Sequence, residues 1–165
     1  LAKLKPAFQK DGTVTAGNAT GMNDGAAALV MMSEDKCREL GLQPIARIVG
    51  HVTNAGVPAL FPSAPVGAMQ KLFAKTGWTA ESVDLYEINE AFAVVTMASL
   101  HDLKLDPAKV NIHGGACALG HPIGASGARI VVTLLGALKK YGKKRGVASL
   151  CIGGGEATAL AVEML

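Results

Sequence analysis

The stretch from His113 to Gly127 limits what this chain can become more than any other. It reads His-Gly-Gly-Ala-Cys-Ala-Leu-Gly-His-Pro-Ile-Gly-Ala-Ser-Gly, with five glycines in fifteen positions, and leads into an apolar run beginning at Ala128. Glycine loses more conformational freedom on folding than any other residue. Such density therefore points to a backbone held in special dihedrals or approached closely by another group. Within it, His121 is followed by Pro122, and proline is favoured at the first position of a helix. His121 is thus expected at or just before a helix N-terminus, beside unpaired N–H groups and the positive end of a helix dipole. A titratable imidazole there suits proton transfer next to an anion. A plain helix cap is the alternative for a lone His-Pro.

The chain of 165 residues is half apolar and only 18% charged, which argues against disorder and for one domain with a real core. With 4% aromatics, that core must be built from Ala, Val, Leu, Ile and Met. The net charge of +3 comes without a basic block of the kind that binds nucleic acid, and the Lys139–Arg145 cluster reads as a solvated helix end. The three cysteines, Cys37, Cys117 and Cys151, form no CxxC pair. They point to a reducing compartment, hence the cytoplasm, and away from a disulfide framework or a metal site. No apolar run is long enough to span a bilayer. The chain opens on Leu1 without a signal-like segment and reads as a piece of something longer.

Along the chain, residues 12–25 are rich in Gly, Thr, Asn and Asp and read as loop. Ala26–Met32 is a continuous apolar run, read as a buried strand. Ser33 caps a short helix over Glu34–Leu40 that Gly41 stops. Pro44–Val52 reads as the next strand, and Asn54–Ser63 as loop. A helix is expected from Pro65 to Lys75, with Val66, Met69, Leu72 and Phe73 as its buried stripe. Asp84–Ile88 reads as a short strand. A helix from Asn89 to about Leu103 follows, with Phe92, Val95, Ser99 and Leu103 along one side. Val110–Ile112 is read as extended, and Pro122–Tyr141 as a long helix buried on most sides. Gly146–Ile152 and Ala157–Met164 are strands joined by a glycine turn. Strands alternating with helices, then a hairpin, give an α/β layered domain with a mixed sheet. Neither GxxxxGK[ST] nor GxGxxG is present.

Three residues can carry chemistry. Cys151 ends a strand before a glycine turn, where an exposed thiolate could form and the Gly153 N–H could receive an oxyanion. Asn89 stands between a strand and a helix, where its amide could orient a water or a carbonyl. His121 is the candidate base. All three lie at element junctions, where α/β domains cluster their sites. Inert packing for Cys151 and N-capping for Asn89 remain the alternatives for each residue taken alone.

The set resembles a known family. Asn89-Glu90-Ala91-Phe92, the Gly115–Gly127 segment and Cys151-Ile152-Gly153-Gly154-Gly155 are similar to the NEAF, GHPxGxSG and CxGGG motifs of thiolases, and Gly17–Ala27 is similar to their GNASGxNDGAA segment. The likeness runs in order from about Thr13 to the C-terminus and is closest to the biosynthetic acetoacetyl-CoA thiolases (acetyl-CoA acetyltransferases). It implies a thiolase-like fold: one βαβαββ half with a mixed sheet and a buried central helix. Residues 1–25 would end the loop region, and residues 26–165 would form the C-terminal domain.

The resemblance also implies a mechanism. His121 would activate a nucleophilic cysteine that belongs to the N-terminal half and has no counterpart here. Cys151 would be the acid/base for the α-proton of a second acetyl-CoA. Asn89 would hold a water for one oxyanion hole, and the Gly153 N–H would serve another. Ala16 and Thr20 would line the pantetheine arm, with Phe61, Ala91 and Phe92 near the thioester. The reaction implied is the reversible Claisen condensation of two acetyl-CoA to acetoacetyl-CoA and CoA, with coenzyme A thioesters as substrates and no further cofactor. Thr20 stands where serine is usual, and Glu156 follows the glycines where a small or apolar residue is usual. Two other readings are a degradative 3-ketoacyl-CoA thiolase and a non-catalytic CoA-binding or assembly module. Cys151 argues against a ketoacyl synthase. Partners implied are the N-terminal thiolase half and further copies of the chain. Alone, the chain is expected to be inactive and to self-associate through its exposed helix flank.

Overall fold

The computed structural model describes all residues, 1–165. The elements, in order, are α1 (Glu34–Glu39), β1 (Ala46–Ala55), a 3-10 turn at Pro58–Ser63, α2 (Ala64–Thr76) and β2 (Leu85–Ile88). They are followed by α3 (Ala93–Asp102), a second 3-10 turn at Pro107–Lys109, α4 (Ala116–Leu119), α5 (Ser126–Lys140), β3 (Arg145–Ile152) and β4 (Glu156–Met164). The four strands form one mixed sheet in the order β1-β4-β3-β2. β2 is parallel to β3, and β4 is antiparallel to both β3 and β1. The βαβαββ order that the family resemblance implies is the order found.

The crossovers explain the layers. From β1 through α2 to β2 the chain traverses the sheet one way, and from β2 through α5 to β3 it returns. Right-handed crossovers in opposite directions put their helices on opposite faces. Accordingly, α2 and α3 cover one face with Met69, Leu72, Val95, Tyr86, Ile88, Val147 and Cys151 in one cluster. α5 covers the other with Ile130, Leu134, Ala137 and Leu138 against Leu85, Ala148 and Val162. Small residues on the strands permit this. A side chain on Gly146 would press within 2.8 Å of Leu138 and 2.9 Å of Leu134.

Several readings are corrected. Ala26–Met32 is not a buried strand: the segment has no secondary structure and is exposed apart from the half-buried Ala27. An apolar extended run becomes a strand only when another strand satisfies its N–H and C=O groups, and no element of this chain does so. The helix after His121 begins at Ser126 rather than Pro122, because Pro122–Ala125 forms a separate turn closed by Ala125 N–H donating to Pro122 O. α5 is buried along one face only, since Val132 is 43% exposed while Val131 and Leu135 are half-buried. The helix before Leu103 starts at Ala93, so residues 89–92 lie outside it, with Phe92 extended. Val110 makes a single parallel bridge to Tyr86. No helix is long and apolar enough to cross a membrane.

Candidate active site

The C-terminal ends of the parallel strands β2 and β3 carry Asn89 and Cys151, the place where open α/β sheets put their ligands. Asn89 follows β2 directly, is 1% exposed, and donates its backbone N–H to Ser149 O at 2.9 Å. Its Nδ2 faces His121 Nε2 at 3.4 Å. On the other side of the ring, Nδ1 lies 2.6 Å from Ser126 Oγ. That hydroxyl has one proton, and it donates it to Pro122 O at 3.0 Å. With the hydroxyl proton on Pro122 O, the serine oxygen accepts from Nδ1–H and the Nε2 lone pair faces the Asn89 amide. Burial, aided by the Arg129 guanidinium, holds the His121 imidazole below its ordinary range. Burial thus favours the ring as a neutral base, with Nε2 turned to the Asn89 amide. Asn89 Oδ1 is buried without a partner.

Cys151 sits one strand over, two residues past Ser149, and is 8% exposed within the apolar cluster bordered by Phe61, Ala91 and Phe92. Burial pushes its thiol up. The sequence expectation of an exposed thiolate is corrected: at rest this residue is a neutral thiol. It makes no hydrogen bond to Asn89 or His121, so the structure joins two of the three residues directly and leaves the third in the adjoining apolar cluster. Gly153, in the β3–β4 turn, is exposed, and its N–H donates to no protein acceptor. Glu156 is exposed too, its carboxylate folded back over Gly154 rather than toward Cys151.

The loop before residue 25 is tied to the same place. Asn18 O accepts from Ala93 N–H at 2.9 Å, Thr20 N–H donates to Ala91 O at 3.4 Å, and Gly21 O accepts from His121 N–H at 2.9 Å. Thr20 Oγ1 donates to Ala116 O at 2.7 Å, so its hydroxyl anchors the start of α4. Ala16 is exposed at the outer edge of this loop. Phe61 and Phe92 approach to 6.2 Å between ring centroids, and Phe8 meets Phe92 edge-on at 5.8 Å. With Val14, Pro62 and Val94 they line an open apolar recess of about 220 Å³.

Sequence reasoning passed over Phe8, which lies in an uninformative basic lead-in. Glu87 was also missed: a charged residue on a strand gives no sign that it faces a helix. It is 2% exposed, 3.4 Å from Arg129 on α5, and burial, outweighing Arg129, pushes its carboxyl up to about 7. Ser126 was visible only as a letter of a motif.

The family resemblance carried by these motifs agrees with what comparison finds. The model for "Thiolase, C-terminal domain" matches residues 42–164, and that for "Thiolase, N-terminal domain" matches residues 1–35. The chain belongs to the thiolase family. This thiolase chain is 53% identical over 165 residues to an acetyl-CoA acetyltransferase of Allochromatium vinosum, spanning all of its own length and 42% of that protein's. It is 55% identical over 163 residues to one of Chromobacterium violaceum, covering 99% of this chain and 42% of that protein.

Among solved structures, the Bacillus anthracis acetyl-CoA acetyltransferase superposes with a TM-score of 0.96 at 53% identity, over 99% of this chain and 42% of that one. Human mitochondrial 3-ketoacyl-CoA thiolase gives 0.92 at 42% identity, over 99% and 42%. A thiolase of Ascaris suum in complex with coenzyme A gives 0.90 at 45%, over 99% and 43%. The thiolase chain therefore spans less than half the length of the relatives it matches.

Proposed function

We propose that this chain supplies the general base and the acid/base thiol of an acetyl-CoA C-acetyltransferase, which condenses two acetyl-CoA reversibly to acetoacetyl-CoA and CoA. The observation that carries the reading is the setting of His121: Nδ1 against Ser126 Oγ, Nε2 against the Asn89 amide, and a burial that favours the neutral ring. A base in that state takes the proton of a thiol brought to it. We assign that thiol to the N-terminal thiolase half, whose domain model matches only residues 1–35 here. The thiolate attacks the acetyl-CoA carbonyl, and the C–S bond to CoA breaks. The raised Cys151 thiol is then in the right form to protonate the departing CoA sulfur. Having given up its proton, Cys151 is the base that removes the α-proton of the second acetyl-CoA. The resulting carbanion attacks the acyl-enzyme, and the N-terminal cysteine leaves as thiolate.

Developing oxyanions need preset donors, which are often the largest single contribution to such catalysis. The free Gly153 N–H is one. The orphaned Asn89 Oδ1 is the natural acceptor for a water that would turn its other O–H to the second oxyanion. Phe8, Phe61, Phe92 and Ala91 would flank the thioester, with Ala16 and Thr20 along the pantetheine arm. The exposed apolar run Ala26–Met32 pairs with no strand of this chain, and we assign its cover to the N-terminal half. Three free cysteines fit a reducing compartment, and we place the protein in the cytoplasm. A degradative 3-ketoacyl-CoA thiolase is the second reading, favoured by the 42% identity to the human mitochondrial enzyme but set below the 53–55% to acetyl-CoA acetyltransferases.

The test is thiolysis of acetoacetyl-CoA by this chain with and without a thiolase N-terminal half. Turnover is expected only with both. His121→Asn should reduce kcat by 10²–10⁴-fold, the range for a lost general base. Turnover by this chain alone, or an unaffected His121→Asn variant, refutes the proposal.

A further inference from the structure

Asn111 departs from ordinary backbone geometry, with φ +48 in the left-handed region. Such a conformation costs a side-chain-bearing residue energy, although asparagine tolerates it better than most. Its contacts supply the reason. The backbone N–H of Asn111 donates to Tyr86 O at 2.9 Å, continuing the bridge that Val110 makes to Tyr86. Its side-chain amide then takes the place of the next strand residue. Ile88 N–H donates to Asn111 Oδ1 at 2.8 Å, and Asn111 Nδ2 donates to Ile88 O at 2.8 Å. β2 thus ends with both polar groups of its last residue paired to one side chain. The remaining proton of the same amide donates to Glu90 Oε1 at 3.0 Å. The other oxygen of Glu90 accepts from Cys117 N–H at 3.0 Å, near the start of α4.

A single side chain therefore grips residues 88 and 90, the two neighbours of Asn89, and reaches α4 through Glu90. α4 leads in four residues to His121. This network explains Gly115 as well, because a Cβ there would lie 2.2 Å from Glu90 Cδ. A backbone fixed on both sides of Asn89 leaves its side chain little choice of direction. We propose that Asn111 is the positioning residue that holds the Asn89 amide against His121 Nε2. The inference deepens the reading of Asn89 and His121 as active-site groups and rests on it for its catalytic consequence. The geometric part stands without it.

The experiment follows the His121 ring by nitrogen-detected NMR titration in the purified protein. An N–H donated to Nε2 favours the neutral ring, so losing it raises the midpoint. Asn111→Gly keeps the left-handed backbone at no steric cost and removes the side chain. Its His121 midpoint is expected to rise, by the same amount as in an Asn89→Ala benchmark. Arg129 from α5, the charge that acts on the ring, is untouched in both variants. A variant that only loosened the fold would not reproduce the benchmark.

In the unmodified protein, the Ile88 N–H and the Asn111 side-chain NH2 should be protected from exchange, a readout independent of whether the variant folds. Rapid exchange of these protons overturns the proposal. So does an Asn111→Gly midpoint equal to wild type, and so does an Asn89→Ala variant without effect. In the thiolysis assay, Asn111→Gly should lower kcat with little change in KM. If the NMR result holds while no thiolysis is found with the N-terminal half present, the functional reading fails and the positioning role survives.

Discussion

Replacing Glu87 by glutamine tests the electrostatics of the β2–α5 contact, on which the placement of the base depends. The carboxyl is 2% exposed, and its single cationic partner, Arg129 at 3.4 Å, does not compensate for the loss of water. Desolvation of a buried carboxylate outweighs a lone, long ion pair, and so the proton is held to about pH 7 instead of the ordinary 4.5. In the unfolded chain Glu87 ionises near 4.5, so between these values the folded state binds the extra proton. Its contribution to stability is therefore full below pH 4.5 and is lost as pH rises through 7. At about 1.36 kcal/mol per pH unit, the interval is worth about 3 kcal/mol.

Urea unfolding followed by the fluorescence of Trp78, the only tryptophan, gives the stability of both proteins across this range. The stability of wild type minus that of Glu87→Gln should fall by about 3 kcal/mol from pH 4.5 to 7.5. His121 acts in the opposite sense. Its depressed value makes its contribution present above its ordinary range and lost as pH falls, but it is common to both proteins and drops out. A difference flat to within about 0.5 kcal/mol would refute the reasoning, since that is the scatter of substitutions that touch nothing.

Ser126→Ala removes the acceptor that fixes the Nδ1 proton, and at about 1.4 kcal/mol for one hydrogen bond it should cut thiolysis kcat roughly tenfold with KM unchanged. Nitrogen shifts that still report a proton on Nδ1 alone would count against it. Gly155→Ala places a Cβ 2.7 Å from Gly56 O at a φ of +99, and should destabilise the protein by about 2 kcal/mol or more in thermal unfolding. An unchanged Tm would show that the turn can re-form. Thiolysis should fall on the acid side as His121 protonates, with a midpoint below 6.5, and a midpoint above that value would contradict the depressed imidazole. Sedimentation of this chain alone should give a mass above one copy, because Val132, Ile48 and the Ala26–Met32 run remain uncovered. A monomer in dilute solution would remove that expectation.

Much of the scaffold was legible because its signals are local. Val66, Met69 and Leu72 recur at helical spacing and are the buried face of α2. Ser33 and Gly41 bracket α1 as a cap and a left-handed stop. The hairpin of β3 and β4 follows from two apolar runs around three glycines. Other features depend on partners far away in sequence. Ala26–Met32 has a strand composition, but composition cannot supply a neighbouring strand. Residues 89–92 look like a helix start, yet Asn18 and Thr20 pair with Ala93 and Ala91 and Ala19 bridges Phe92, so the helix begins only at Ala93.

The same division runs through the candidate site. Sequence alone determined the identity and order of the chemical groups: an amide at 89, an imidazole at 121, a thiol at 151, and glycines where the backbone must turn or be approached. It could do so because residue type fixes what a side chain is able to donate, accept or titrate. Tertiary structure decided their states. Which nitrogen of His121 keeps its proton depends on the Ser126 hydroxyl and the Pro122 carbonyl. Whether Cys151 rests as thiol or thiolate depends on the apolar cluster around it, and Glu87 holds its proton because α5 takes it out of water. Protonation and orientation are free-energy differences between environments, and an environment exists only once distant parts of the chain have come together.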